Sequence, residues 1–290
     1  MIHLWKQKRV ALLLWPFSLL FHFFSSVRKF LYAHSLLPSV RLPAFVICVG
    51  NITTGGSGKT PLVIYLATLL QSAGKQTAVI SRGYGGAARG TTTVSNGKNL
   101  LSTPSESGDE PFMIATHLPN IPVVTSSRRA EAGKRAVREF RADTCIMDDG
   151  LQHYQLRRDR EIITIDATNP WGNGFLLPAG PLRESRRRLK QADAIVLTRC
   201  DQVAEVTTLV EQVKQYTDSP VFISVHKPEA LVDPATGSSH TLKDIADKKV
   251  FAFAGIAHPP SFYHTLRSLR AELVSTRSFP DHHAYSDADL

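Results

Sequence analysis

The stretch Phe45-Val46-Ile47-Cys48-Val49-Gly50-Asn51-Ile52-Thr53-Thr54-Gly55-Gly56-Ser57-Gly58-Lys59-Thr60 decides how the rest of the chain is read. Five apolar residues run into a glycine-rich turn that closes in Gly-Lys-Thr. Beyond it Leu62, Tyr65, Leu66 and Leu69 fall at helical spacing, so Pro61 to Leu70 reads as a helix. Pro61 suits a first turn because no backbone N–H is needed there. Strand, loop and helix in this order are the setting of a phosphate-binding loop. Backbone N–H groups at a helix start point at an anion, and the helix dipole favours negative charge there. Glycines let the backbone curl closely around phosphate oxygens. Lys59 is placed to reach the β- and γ-phosphates of a nucleotide, and the Thr60 hydroxyl to ligate Mg²⁺. The usual pattern has a further glycine, with four residues between it and Gly58. Thr53 stands at that position, so Gly55 and Gly56 supply the flexibility of a variant loop. A glycine turn ahead of an ordinary helix is the competing reading.

Working outward, strand and helix patterns alternate from Phe45 onward. Strand candidates are Phe45–Val49, Thr77–Ser81, Ile121–Thr125, Thr144–Met147, Ile162–Asp166, Ala194–Thr198, Val221–Val225, Val250–Ala254 and Glu272–Thr276. Several are solid apolar runs, as expected of a parallel sheet covered on both faces. Gly85 to Gly108 is rich in Gly, Ser and Thr and reads as a hairpin plus a loop. Lys227 to Ser239, with Asp233-Pro234 and Gly237, reads as a connector between two lobes.

Four further stretches carry chemistry. In Thr144-Cys145-Ile146-Met147-Asp148-Asp149-Gly150 a mainly apolar strand ends in carboxylates, where it can hold Mg²⁺ or its waters beside the phosphate loop. Two adjacent side chains cannot both point the same way from a strand, so one Asp serves the metal and the other a neighbour. A solvated Asp-Asp-Gly turn is the bland alternative. Leu151-Gln152-His153 follows, then Arg157-Arg158-Asp159-Arg160, which is either a solvated face or a phosphate contact. Gly108-Asp109-Glu110-Pro111 opens an apolar helix; its carboxylate either caps that helix or acts as general base toward a docked hydroxyl. Leu176-Leu177-Pro178-Ala179-Gly180-Pro181-Leu182-Arg183-Glu184, followed by Arg186-Arg187-Arg188, reads as a shaped loop with cations for an anionic group. A nucleic-acid patch is its rival, but no aromatic residues are interleaved with the arginines. Phe279-Pro280-Asp281-His282-His283 has no third ligand set for a metal, so an Asp–His pair in acid–base work is the better functional reading. Ser286-Asp287-Ala288-Asp289-Leu290 has the form of a capped helix start, which leads us to expect a shortened protein.

The 290 residues carry a net charge of +9, which favours an anionic partner. The first 40 residues hold no Asp or Glu but include Lys6, Lys8, Arg9, Arg28 and Lys29. Val10 to Phe24 is apolar and spans only about 22 Å as a helix, against a hydrocarbon core of ~30 Å. Pro16 is expected to kink it. A helix lying partly in the inner leaflet fits best; a signal peptide and a buried helix are the rivals. Cys48, Cys145 and Cys200 lie in or beside strand-like runs and read as buried free thiols of a reducing compartment.

Taken together, the phosphate loop with Pro61, Ser81-Arg82-Gly83-Tyr84-Gly85, Gly108-Asp109-Glu110-Pro111, Asp148-Asp149-Gly150-Leu151-Gln152-His153, Leu177 to Glu184, Phe253-Ala254-Gly255-Ile256 and Phe279 to His283 resemble the tetraacyldisaccharide 4′-kinase family, the lipid A kinases of Gram-negative bacteria. The resemblance implies an α/β fold: a P-loop NTPase-like, mostly parallel sheet with flanking helices, an N-terminal membrane helix and a smaller C-terminal α/β lobe. It divides the chain into a membrane-associating helix at 1–40, a kinase core at 41–226, and a connector with the smaller lobe at 227–290. It implies ATP and Mg²⁺ as cofactors, and phosphorylation of the 4′-hydroxyl of an acylated glucosamine disaccharide 1-phosphate lipid at the cytoplasmic face of the inner membrane, without nucleic acid. By this likeness Asn51, Gly55, Gly56, Ser57, Gly58, Lys59 and Thr60 bind the nucleotide, and Thr60, Asp148 and Asp149 the metal. Asp109 is the base, assisted by His282 or His283. Glu110, Arg129, His153, Arg183 and Glu184 meet the acceptor. The alternative is a membrane-associated P-loop ATPase that switches conformation.

Overall fold

The apolar run ahead of the phosphate loop forms strand β1 (Phe45–Asn51), buried from its second residue onward. It is flanked on both sides. Strands β2 (Thr77–Ser81), β3 (Thr91–Asn96), β4 (Pro122–Ser126), β5 (Thr144–Asp148), β6 (Arg160–Asp166), β7 (Ala194–Thr198) and β8 (Val221–Ile223) complete an eight-stranded sheet in the order β3-β4-β2-β5-β1-β6-β7-β8. Pairings along it are parallel except that of β3 with β4. The structure, a computed structural model, describes residues 5, 8–256, 258–281, 283 and 285–289.

Helices α1 (Lys8–Ala33), α2 (Lys59–Ser72), α3 (Pro104–Ser107), α4 (Asp109–His117), α5 (Arg129–Phe140) and α6 (Val206–Lys214) accompany this sheet. Strand alternation assigns the two faces. Val46 and Cys48 of β1, Ala78 and Ile80 of β2, and Cys145 and Met147 of β5 pack with Ala132 and Ala136 of α5. Val49, Val79 and Ile146 point the other way, against Val63 and Ala67 of α2 and Ile114 of α4. Coverage of both faces explains why these strands read as unbroken apolar runs. All three cysteines are buried.

The Gly85–Gly108 region holds a short hairpin and a loop: after β3 the chain turns back through an antiparallel Ser95–Leu100 bridge, with the Leu101 N–H donating to the Val94 carbonyl at 2.8 Å, and then enters α3. Helix α1 is longer than its apolar run, because it continues past Phe24 to Ala33 with Pro16 inside. Its 26 residues span about 39 Å at ~1.5 Å per residue. By length and composition it could cross a membrane, and only 11% of its most apolar stretch is buried. The contact with the core is one narrow stripe. Ala11 and Ser18 are buried, whereas Leu12, Leu13, Phe17, Leu20, Phe23 and Phe24 are exposed. The Ser18 hydroxyl donates to the Leu176 carbonyl at 2.9 Å and accepts from the Ala179 N–H at 3.1 Å. The Trp5 indole donates to the Pro178 carbonyl at 2.9 Å.

The chain separates into two units: the described residues up to Thr198 with Glu205–Ile223, and Arg199–Ala204 with the described residues from Ser224 onward. The second has an antiparallel ribbon of β9 (Leu231–Val232) and β10 (Ser239–His240), and a parallel pair of β11 (Lys249–Ala254) and β12 (Glu272–Ser278). Helix α7 (Pro259–Ser268) connects that parallel pair. Its core is Ala252, Ala254, Tyr263, Leu266 and Ala271.

Candidate active site

The carboxyl ends of parallel strands leave a crevice where ligands of open α/β sheets bind, and here that edge collects the sequence motifs. Gly58, at φ 74° and ψ 22°, turns the chain from the loop into α2. No side chain caps this helix start, so its first N–H groups remain available to an anion. The loop is pinned from behind: the Ser57 and Thr164 hydroxyls lie 2.7 Å apart, and the Thr198 hydroxyl donates to the Ser57 carbonyl at 3.1 Å. A Cβ on Gly58 would come within 3.0 Å of Thr198 Cγ2. Asn51 is fully buried; its amide N–H donates to the Gly55 carbonyl at 3.4 Å, while its Oδ1 has no partner. The non-glycine at Thr53 has a structural cause. Thr53 bridges Leu182 in antiparallel fashion, and the Thr54 N–H donates to the Pro181 carbonyl at 2.8 Å. The start of the loop is therefore extended backbone clasped by the Leu176–Glu184 segment, where glycine is not required.

Lys59 and Thr60, the first residues of α2, are buried. Lys59 Nζ lies 3.7 Å from Asp149 Oδ1. Asp148 ends β5 in register with Val49 of β1. Its Oδ2 accepts from the Ser81 hydroxyl at 3.2 Å, and its buried Oδ1 has no partner. Burial pushes the Asp148 carboxyl up to about 6, with the Glu110 charge adding to the rise and Lys59 opposing it. Asp149 follows at φ 43°, so its side chain leaves in a different direction. Arg183 Nη1 donates to its carboxylate at 3.1 Å. Burial raises the Asp149 carboxyl, but the Lys59 and Arg183 cations outweigh it and the net shift is downward. Among the described residues no group of three or more His, Cys, Asp or Glu side chains is arranged for a metal. A cation here would draw on Thr60, Asp148 and the bound phosphates. That donor set of a hydroxyl, a carboxylate and phosphate oxygens suits hard Mg²⁺. The uncapped helix start, the left-handed Gly58 and the unpartnered Asp148 Oδ1 together fit a nucleotide with its magnesium.

Asp109 and Glu110 open α4 and are exposed. Their position is fixed by backbone packing: Gly108 sits at φ 91°, and a Cβ there would strike the Tyr84 carbonyl oxygen. A Cβ on Gly86 would likewise strike the Glu106 carbonyl oxygen. The Ala87 and Ala88 N–H groups donate to the Ser105 and Glu106 carbonyls at 2.9 and 3.0 Å. Thus Ser81–Gly86 and the mouth of α4 form one tight double loop.

Arg129 and His153 flank the second aspartate. Arg129 Nη2 donates to the Asp149 carbonyl at 2.8 Å, and Nη1 lies 3.4 Å from His153 Nδ1. Burial, then the Arg129 charge, lowers His153 to about 4, so its imidazole is neutral near pH 7. Glu184 has several partners. It accepts from the Gln152 amide at 2.9 Å and the Tyr154 hydroxyl at 3.3 Å, and pairs with Arg188 at 3.2 Å. Gln152 also donates to the Asn51 carbonyl at 3.2 Å. In the second unit His283 stacks on Phe279 and lies 3.1 Å from Asp289. His282 lies outside the described residues. Sequence reasoning did not assign Ser81 or the loop-pinning Thr164 and Thr198. Their signal was weak: hydroxyl residues at the ends of strands β2 and β7 and within β6.

Comparison with known proteins places the chain. The model of the tetraacyldisaccharide-1-P 4′-kinase family matches residues 10–290. The tetraacyldisaccharide 4′-kinase of Syntrophus aciditrophicus is 45% identical over 97% of this chain and 78% of that protein. That of Anaeromyxobacter sp. strain K is 38% identical over 92% of this chain and 71% of the relative. LpxK from Aquifex aeolicus, whose crystal structure is in complex with ATP, superimposes with a TM-score of 0.79 at 34% identity, covering 96% of this chain and 84% of that one. The chain belongs to the tetraacyldisaccharide-1-P 4′-kinase family.

Proposed function

We propose that the protein transfers the γ-phosphate of ATP to the 4′-hydroxyl of a tetraacylated glucosamine disaccharide 1-phosphate, the acceptor of lipid A biosynthesis. The observation that carries this reading is the meeting, at one sheet edge, of an uncapped phosphate loop with buried Lys59 and a carboxylate-bearing helix mouth at Asp109. Bound MgATP supplies the phosphoryl group and the electrophilic phosphorus. The chain does the rest. The backbone of Gly55 to Gly58 and the α2 start hold the phosphates; Lys59 offsets charge growing on their oxygens, and Thr60 and Asp148 hold the metal. Arg183 and Arg129 keep Asp149 in place. Asp109 accepts the proton of the acceptor hydroxyl, a poor nucleophile at neutral pH. Neutral His153 offers the sugar a hydrogen bond rather than a charge. Glu110, Arg183 and Glu184 border the acceptor.

Membrane association belongs to the same reading. The exposed apolar face of α1 lies in the cytoplasmic leaflet, where the lipid acceptor resides, and basic residues before and within the helix meet anionic headgroups. The functional division into helix 1–40, core 41–226 and lobe 227–290 goes with it. The test is incubation of protein-bearing membranes with γ-labelled ATP and the acceptor lipid, followed by separation of the lipids. Label in a lipid bisphosphate is expected; label released only as free phosphate would instead mark an ATPase.

A further inference from the structure

One of the few points at which helix α1 is buried is a serine. Ser18 is 3% exposed, while Phe17, Leu19 and Leu20 around it are more than half exposed. A helical serine is readily satisfied by a carbonyl one turn back in its own helix. The Ser18 hydroxyl instead uses both of its roles on one distant loop, donating to the Leu176 carbonyl at 2.9 Å and accepting from the Ala179 N–H at 3.1 Å. Trp5 grips the same loop: its indole donates to the Pro178 carbonyl at 2.9 Å, and its carbonyl accepts from the Asn173 amide at 3.2 Å.

The gripped loop is stiff. The Gly180 N–H donates to the Leu176 carbonyl and the Leu177 N–H to the Leu182 carbonyl, both at 2.9 Å. The Asn173 amide donates to the Ala179 carbonyl at 2.9 Å, and a Cβ on Gly180 would strike the Asn173 side chain and the Phe175 carbonyl. A displacement at Ala179 is therefore passed on to Leu182 rather than absorbed between them. The far end of the loop holds the phosphate loop. The Pro181 carbonyl accepts from the Thr54 N–H at 2.8 Å, the Arg183 N–H donates to the Ile52 carbonyl at 2.7 Å, and Leu182 bridges Thr53. These bonds fix residues 52–54, immediately before Gly55 to Gly58, whose backbone must be curled for N–H groups to converge on phosphate. A loop that must first be ordered loses that cost from its binding free energy.

We propose that Ser18 is a positioning residue of the nucleotide site: acting through the Leu176–Pro181 loop on Thr54, it presets the phosphate loop for ATP. The exposed face of α1 is the one assigned above to lipid, and its buried face sets ATP affinity. A plain anchor needs only the first, and an apolar residue at position 18 would serve it as well. The inference rests on Gly55 to Thr60 as the ATP site and not on the identity of the acceptor.

The test is calorimetric titration of MgATP into the full chain in detergent micelles, for wild type, Ser18→Ala, Ser18→Thr and Trp5→Phe. Ser18→Ala removes both hydrogen bonds while suiting the helix, and its Kd should rise about three- to tenfold, the scale of one neutral hydrogen bond, with unchanged stoichiometry. Ser18→Thr keeps the hydroxyl and should stay near wild type. Trp5→Phe loses one donor and should shift the same way by less. A merely structural serine behaves otherwise: damaged folding lowers the stoichiometry and leaves the Kd of the remaining sites unchanged. That result overturns the proposal, as does a Ser18→Ala Kd equal to that of wild type. Sedimentation with phosphatidylethanolamine–phosphatidylglycerol vesicles should be the same for wild type and Ser18→Ala; a variant that leaves the vesicles marks Ser18 as part of the anchor and also overturns it. If the Kd shifts as expected but wild type transfers no phosphate to lipid, the kinase reading falls and the positioning role stands.

Discussion

Two helix mouths at the same sheet edge use the same backbone device and opposite charge. Helix α2 opens as Gly58-Lys59-Thr60-Pro61 and α4 as Gly108-Asp109-Glu110-Pro111. Each is entered through a glycine of positive φ, 74° at Gly58 and 91° at Gly108, and neither has a side-chain cap at that glycine. Each has proline at its third position, where a missing N–H costs nothing. The first mouth adds a buried ammonium to the positive end of its dipole and so attracts polyanions. The second cancels its dipole with two exposed carboxylates and so disfavours them. Under the function proposed above, the difference amounts to a division of labour: one mouth holds the phosphoryl donor, and the other receives the neutral hydroxyl and its proton.

The largest expected effect follows from removing the charge that distinguishes the first mouth. Lys59→Ala should lower phosphate transfer by about 10²–10³-fold or more, since it removes a clamp on the growing phosphate charge. Steady-state transfer with labelled ATP measures this, and activity within a few-fold of wild type would break the assignment. Glycine substitutions probe the shared backbone device. Gly108→Ala must adopt a positive φ and drive its Cβ onto the Tyr84 carbonyl, at a cost of about 1–3 kcal/mol. Gly58→Ala meets only a 3.0 Å contact with Thr198 in a left-handed conformation, at about 1 kcal/mol. Urea midpoints should rank the two in that order, whereas ATP affinity should fall more for Gly58→Ala; the reverse order in either assay would separate the mouths differently. A smaller effect concerns pH. His153 titrates near 4 in the folded chain, below the ordinary 6.5, because of burial and then Arg129. A depressed value means that its contribution is intact above pH 6.5 and drains away as pH falls toward 4. Relative to His153→Gln, wild type should therefore lose stability across that window. A gap that is the same at pH 7.5 and pH 4 would contradict the shift.

Much of this was legible in the sequence because it rests on local pattern. Apolar runs such as Val46–Val49 and Cys145–Met147 are buried on both faces, so their lengths mark the strands directly. Phosphate-loop chemistry lies within sixteen consecutive residues, and Gly-Lys-Thr is read without knowing the fold. What was not legible depends on distant partners. Thr53 looks like a missing glycine until Leu182, far along the chain, is seen bridging it. Arg183 and Glu184 are adjacent in the sequence, and their ion-pair partners lie far along the chain or a turn away, Asp149 for Arg183 and Arg188 for Glu184, with Gln152 bonded to both. The length of α1 was underestimated because its apolar run stops at Phe24, while the helix continues through residues whose partners, such as Tyr154 for Arg28, come from the core. The strand β3 was hidden by its Thr-rich composition at a sheet edge, where one side is open to solvent and burial leaves little pattern.

The division of labour between the two mouths is tested most directly on Asp109→Asn, which keeps size and removes the proton acceptor. ATP binding by calorimetry and single-turnover transfer to the lipid acceptor at saturating ATP are measured on the same preparation. If α4 serves the acceptor hydroxyl, ATP affinity stays within a few-fold of wild type while transfer slows by about 10²–10⁴-fold, the usual cost of losing a general base. If instead ATP binding weakens sharply and transfer recovers once ATP saturates, Asp109 belongs with the nucleotide, and the two mouths do not divide the reaction.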